Sequence, residues 1–158
     1  MAQHPRSVGA AALAVALTLL AALPAHGRQC ERGTLAGAVS HVRDGDTIEV
    51  NGRVIRLNGL AAPEWDEPGG AEATRGMRGL VDGRQVRCEL DGERTHDRCA
   101  AVCYIEGRDL AAEMVCAGLA RACPRFSNGR YRAAEAQAAA PGATIGGSYP
   151  LPSYCRAR

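Results

Sequence analysis

Residues 47–57 read TIEV-NG-RVIRL, two β-favouring runs joined by Asn51-Gly52. An Asn-Gly pair suits a two-residue type I′ turn, because both positions need positive φ. The turn also fixes the register. Val50 must face Arg53, Glu49 face Val54, Ile48 face Ile55, and Thr47 face Arg56. Arg56 then sits inside an otherwise apolar strand, where a charge is costly without a partner. Just ahead of the hairpin, VRDGDT sets Asp44 and Asp46 at the mouth of the strand. Neither acid favours a strand. Paired residues have Cβ atoms roughly 5 Å apart, so the Asp44-Gly45-Asp46 corner lies beside Arg56.

The other elements follow from periodicity. LAGAVSHV (35–42), RQVRCEL (84–90) and AAVCYIEG (100–107) read as strands, with DGERTHDR (91–98) linking the last two. AEATRGMRGLVDG has apolar residues at Ala73, Met77, Leu80 and Val81, a helical spacing closed by Gly83 as its C-cap. DLAAEMVCAG starts a short helix at an Asp109 N-cap and ends it at Gly118. RYRAAEAQAAA (130–140) is a third helix, stopped by Pro141-Gly142. Three strands, a helix, two strands and two helices suit a five-stranded closed barrel of the OB type with three helices. Closure removes the exposed edges of such short strands. A ferredoxin-like sandwich fits less well, since no helix interrupts the first three strands.

The first 27 residues are expected to stand outside that domain. MAQHPRSV is cationic, AAALAVALTLLAAL is apolar but short for a membrane span, and Ala25 and Gly27 offer small residues for cleavage. This reads as a secretory signal peptide, with a retained membrane anchor as the alternative. The expected organisation is a signal peptide over 1–27, a barrel domain over 28–140 and a tail over 141–158. Seven cysteines in a small exported chain point to disulfides and to a secreted or periplasmic location. Cys88 and Cys103 fall on successive strands and are placed to bridge. Cys155 would tether the tail by joining Cys123. Cys30, Cys99 and Cys116 stay unassigned. A formal net charge of +2 excludes a strongly basic, non-specific nucleic-acid binder but leaves room for a local basic groove.

Carboxylates at a strand mouth, an arginine opposite and Glu64 just after Pro63 suit metal-assisted phosphodiester hydrolysis. Carboxylate oxygens hold Ca²⁺ or Mg²⁺, guanidinium binds phosphate, and a glutamate activates water. Asp-Gly-Asp is also a common turn, in which Asp46 merely caps the hairpin. The wider set of motifs is DGDT, RL, APE, an arginine before an Ala-rich strand, and GRDLAAEMVCAGLA. Together they resemble the staphylococcal nuclease, or thermonuclease, family over about residues 35–137. That resemblance implies a Ca²⁺-dependent nuclease acting on DNA or RNA. It makes Asp46 the metal carboxylate; Asp44, Thr47 and the Ala62 carbonyl are further candidate donors to the ion. Arg56 and Arg98 would bind the scissile phosphate, and Glu64 would be the water-orienting base.

The chain departs from the family pattern at Ala61, where a second carboxylate ligand is expected, and at His96, where a tyrosine is typical. Cys123, Pro124 and Phe126 stand where nucleotide-contacting tyrosines are usual. Asp44, Asp66, Glu67 or water would have to fill the gap in the metal shell. Trp65 either stacks a base or pins its loop, the second being the commoner role. Arg121, Arg125, Arg130 and Arg132 either guide nucleic acid or form a solvated face. The functional expectation is an exported, monomeric nuclease without stable membrane association. The alternatives are an OB-fold nucleic-acid-binding module that has lost turnover, and a purely structural exported domain.

Overall fold

The computed structural model describes residues 30–138 and 149–156. The expected signal peptide and the Pro141-Gly142 helix stop lie outside the described residues. Five strands build the barrel: β1 (Gly33–Val42), β2 (Thr47–Val50), β3 (Arg53–Leu57), β5 (Gln85–Thr95) and β6 (Arg98–Ile105). Between β3 and β5 come the short strand β4 (Leu60–Ala61) and helix α1 (Gly70–Val81). After β6 come β7 (Arg108–Asp109), α2 (Leu110–Cys116), β8 (Arg121–Ala122), the single-turn α3 (Pro124–Ser127) and α4 (Arg132–Ala138). A 3₁₀ turn at Ser153–Cys155 ends the described chain.

The sheet runs β3-β2-β1-β5-β6, and parallel pairing of β3 with β6 closes it. The chain is thus a closed five-stranded barrel with helices, as its element order predicts. The β2–β3 register is the one the turn dictates, with Thr47 opposite Arg56 and Ile48 opposite Ile55. Asn51 and Gly52 both take positive φ, 50° and 67°. Ile48, Ile55, Leu57, Met77, Val86, Leu110 and Met114 fill the centre, none more than 2% exposed. Tyr131 is the largest buried side chain. Its hydroxyl donates to the Asn58 carbonyl at 3.2 Å, mooring the approach to α4 on the end of β3.

Two details differ from the periodicity. Residues 91–95 are strand rather than linker, so the turn between β5 and β6 shrinks to His96-Asp97. The run is polar because it extends past the buried face, and its pairing with β6 shifts register between Leu90 and Arg94. α1 ends at Val81, and Asp82 precedes the left-handed Gly83. α3 was not legible as a helix, since four residues carry no period.

Three disulfides lock the shell. Cys88–Cys103 spans directly opposed residues of β5 and β6. Cys30–Cys99 ties the start of the described chain to β6, and Cys123–Cys155 ties the tail to the start of α3. Closing loops of 69, 15 and 32 residues stabilises by about 3–4 kcal/mol each in the chain-entropy picture. Disulfides of this number belong to an oxidising compartment, extracellular or periplasmic. Cys116 is free and exposed. No helix among the described residues is long and apolar enough to cross a membrane. Because Ile55 is completely buried at the β2–β3 seam, Ile55→Ala is expected to cost about 2–5 kcal/mol in urea unfolding. A loss under about 0.5 kcal/mol would mean that the barrel is not packed through this hairpin.

Candidate active site

The loop between β1 and β2 folds tightly because its own groups satisfy one another. The Arg43 amide donates to the Thr47 carbonyl at 3.0 Å, and the Asp46 amide donates to Asp44 Oδ1 at 2.8 Å. Gly45 between them is a matter of space. A Cβ there would lie 2.6 Å from Ala62 Cβ and 2.7 Å from Ala73 Cβ. The glycine lets the loop press against both β4 and α1.

That close approach buries Asp46, which is 2% exposed. Its Oδ1 accepts from the Thr47 hydroxyl at 3.0 Å, and its Oδ2 accepts from the Ala62 amide at 3.1 Å. The Arg56 guanidinium completes the shell as an ion pair with Oδ2. Arg56 Nη2 also donates to the Leu60 carbonyl at 3.2 Å. One carboxylate thus fastens the start of β2 to β3 and to the segment after β4.

Arg98 comes from the neighbouring strand. β3 and β6 run parallel with Arg56 opposite Ala100, so Arg98, two residues earlier, projects on the same face as Arg56. Its Nη1 donates to Thr47 Oγ1 at 3.4 Å. Its Nε is buried without a hydrogen-bond partner among the described residues. Burial pulls the Arg56 guanidinium below its ordinary pKa, and the like charge of Arg98 adds to that. Two cations side by side, one with an unused donor, make a place for an anion.

Glu64 follows Pro63 on an exposed loop and lies close enough to feel Asp44, Arg56 and Arg98. Partial burial raises its carboxyl pKa, Asp44 raises it further, and the two arginines pull it back. Burial likewise raises Asp44, against the pull of Arg56. The structure therefore gathers Asp44, Asp46, Thr47, Arg56, Arg98 and, at the rim, Glu64. Ala62 joins through its amide, and its carbonyl accepts from the Tyr149 hydroxyl at 3.2 Å.

A family model described as staphylococcal nuclease homologue matches residues 54–145, more than half of the chain. This chain belongs to that family. It is also 30% identical over 156 residues to the succinoglycan biosynthesis protein ExoI of Rhizobium meliloti, covering 91% of this chain and 81% of that one. A protein of Haemophilus influenzae named an uncharacterized endonuclease is 29% identical over 104 residues, covering 63% of this chain and 58% of its own. Family and endonuclease-named relative together support a nuclease function.

Staphylococcal nuclease relatives generally depend on Ca²⁺, and the donors here are a poor match for a tight calcium cage. Ala61 brings no oxygen and is completely buried against the Cys123–Cys155 disulfide, with Tyr149 and Leu151 beside it. Both oxygens of Asp46 are already engaged. Among the described residues no three His, Cys, Asp or Glu side chains converge as metal ligands. Asp66 and Glu67 do not repair this. Asp66 is exposed, and Glu67 Oε2 accepts from the Glu64 amide at 2.9 Å.

Other sequence expectations are corrected. Trp65 does not pin its loop, being 56% exposed. Arg121 is not free to guide a ligand, because it pairs with Glu135 at 2.9 Å and donates to the Tyr149 carbonyl at 3.1 Å. His96, by contrast, is the solvent-facing loop residue expected of it, in a turn at φ 57°. Tyr149 and Tyr154 were missed. The signal for them lay in Cys155, whose partner Cys123 follows β8 and brings residues 149–156 back to β4.

Gly45→Ala is expected to lose about 1–3 kcal/mol of stability, because neither Ala62 nor Ala73 can step aside. A neutral result in chemical denaturation would refute the close approach. Calcium is expected to raise the melting temperature only near millimolar concentration, roughly 10⁻³ M. A half-maximal shift at micromolar calcium would show that the donor set is complete after all.

Proposed function

We propose that this chain is an exported phosphodiesterase that hydrolyses DNA or RNA. The observation that carries the reading is the pair of guanidiniums, Arg56 and Arg98, on one face of the barrel, with the Arg98 Nε buried and unpartnered among the described residues. A phosphodiester supplies the anion they lack, and guanidinium forks match its oxygens. Glu64 stands at the open rim, where it can orient a water against the phosphorus and take its proton. Burial raises its pKa, which makes it a stronger base than an ordinary carboxylate. As the water attacks, charge grows on the phosphoryl oxygens, where the two arginines are already in place to stabilise it, and the bond from phosphorus to the leaving sugar oxygen breaks, that oxygen taking a proton from solvent. Asp46 positions Arg56, and Thr47 positions Arg98.

No step in this reading passes through calcium, since the donors fit it poorly. A divalent ion used in turnover would be loosely held near Asp44 and Asp46, with solvent filling its shell. The disulfides and the N-terminal sequence pattern support the exported location.

Arg98→Ala is the informative variant, because among the described residues Arg98 carries no buried ion pair whose loss would unfold the protein. Cleavage of single-stranded DNA and RNA, assayed across Ca²⁺, Mg²⁺, Mn²⁺ and EDTA, is expected to fall about 10²–10³-fold. Equal cleavage by wild type and Arg98→Ala would remove the guanidinium pair from the mechanism. Nucleic-acid binding without cleavage in any of these conditions would favour the binding module that has lost turnover.

A further inference from the structure

The tail is more than a tether. Beside Arg56 lies a cleft of about 310 Å³, within the size range of small-ligand sites, roughly 300–1,000 Å³. Leu57, Leu60 and Ala100 line it together with the carboxylates of Asp91 and Glu93 and the rings of Phe126 and Tyr154. These two rings are half exposed, 50% and 49%, and with Trp65 they are the large apolar side chains most open to solvent among the described residues. Phe126 arrives on α3. Tyr154 arrives from far along the chain, one residue before Cys155, whose bond to Cys123 brings it there. Cys123 itself lines the cleft. Tyr154 and Arg56 line the same cleft.

An aromatic ring held in the open costs solvation unless something covers it in use. A cleft lined by a cation, aliphatic side chains, aromatic rings and two carboxylates fits a nucleotide, with phosphate at the arginine, base against the rings and the carboxylates as acceptors for the base's N–H groups. Bases in a duplex are already stacked, so the fitting partner is a single strand. We propose that Tyr154 is a substrate-positioning residue, stacking a nucleobase of single-stranded substrate beside the phosphate held by Arg56. The Cys123–Cys155 bond sets its ring in place. This rests on the nuclease reading above and deepens it. Ala61 fits the same picture. Its small side chain makes room for the disulfide that delivers the tail, at the position where the family pattern has a carboxylate.

The test is equilibrium binding in EDTA of a single-stranded thymidine tetranucleotide and of its abasic counterpart, which keeps the phosphates and loses the bases. Wild type is expected to prefer the base-bearing strand by about ten-fold, the scale of one stacked base. Tyr154→Ala should lose most of that preference, and Tyr154→Phe should keep it. Because Tyr154 is exposed, neither change threatens the fold. The double variant Cys123→Ala, Cys155→Ala, or the wild type under a reductant that leaves its circular dichroism unchanged, should match Tyr154→Ala. A Tyr154→Ala protein that retains the full preference overturns the proposal. If both strands bind through Arg98 with no base preference in wild type, the tail proposal fails while the phosphate site stands. If neither strand binds at all, the nuclease reading falls and this inference with it.

Discussion

The site depends on one buried carboxylate. Asp46 is held by a hydroxyl, a backbone amide and a guanidinium that come from β2, from the residue after β4 and from β3. A buried ion pair contributes little net stability compared with an apolar substitute, yet breaking it from one side costs about 3–5 kcal/mol. Its effect here is geometric. It fixes the Arg56 side chain, which would otherwise have many rotamers, at the rim of the barrel. The Asp-Gly-Asp sequence makes this possible. One aspartate closes the loop on itself, the glycine lets it approach β4 and α1, and the other aspartate turns inward.

Barrel closure adds the second arginine. Parallel pairing of β3 with β6 is a non-local contact, joining residues more than forty apart in sequence. It sets Arg98 beside Arg56 and places Thr47 within reach of both Asp46 and Arg98. Packing and chemistry are therefore the same set of contacts seen from two sides. The inner faces of β2 and β3 bury isoleucines, and the rim of the same strands collects the charges.

Much of this was legible in the residues, for identifiable reasons. The Asn-Gly turn dictates register because both positions need positive φ, so the pairing of Thr47 with Arg56 follows from letters alone. Asp109 was readable as an N-cap, and its side chain accepts from the amides of Ala111 and Ala112. Illegible features were those set by distant contacts. Residues 91–95 continue the strand because Arg94 and Thr95 pair with β6 beyond a register shift, whatever their polarity. Arg121 looked like part of a basic cluster, but Glu135 and the tail carbonyl claim it. The aperiodic tail gave no hint that its tyrosines reach the site, except through the cysteine they flank. The loss of a carboxylate at Ala61 was visible. That the methyl packs on a disulfide was not.

The central claim is that Arg56 and Arg98 together grip one phosphoryl group. A crystal structure of the protein with a non-hydrolysable single-stranded phosphorothioate tests this most directly. It is expected to show one phosphoryl group within hydrogen-bond reach of both guanidiniums, about 2.7–3.2 Å, with Arg98 Nε newly paired. A strand bound on another face, with Arg56 still engaged only with Asp46 and the Leu60 carbonyl and Arg98 only with Thr47, would contradict it.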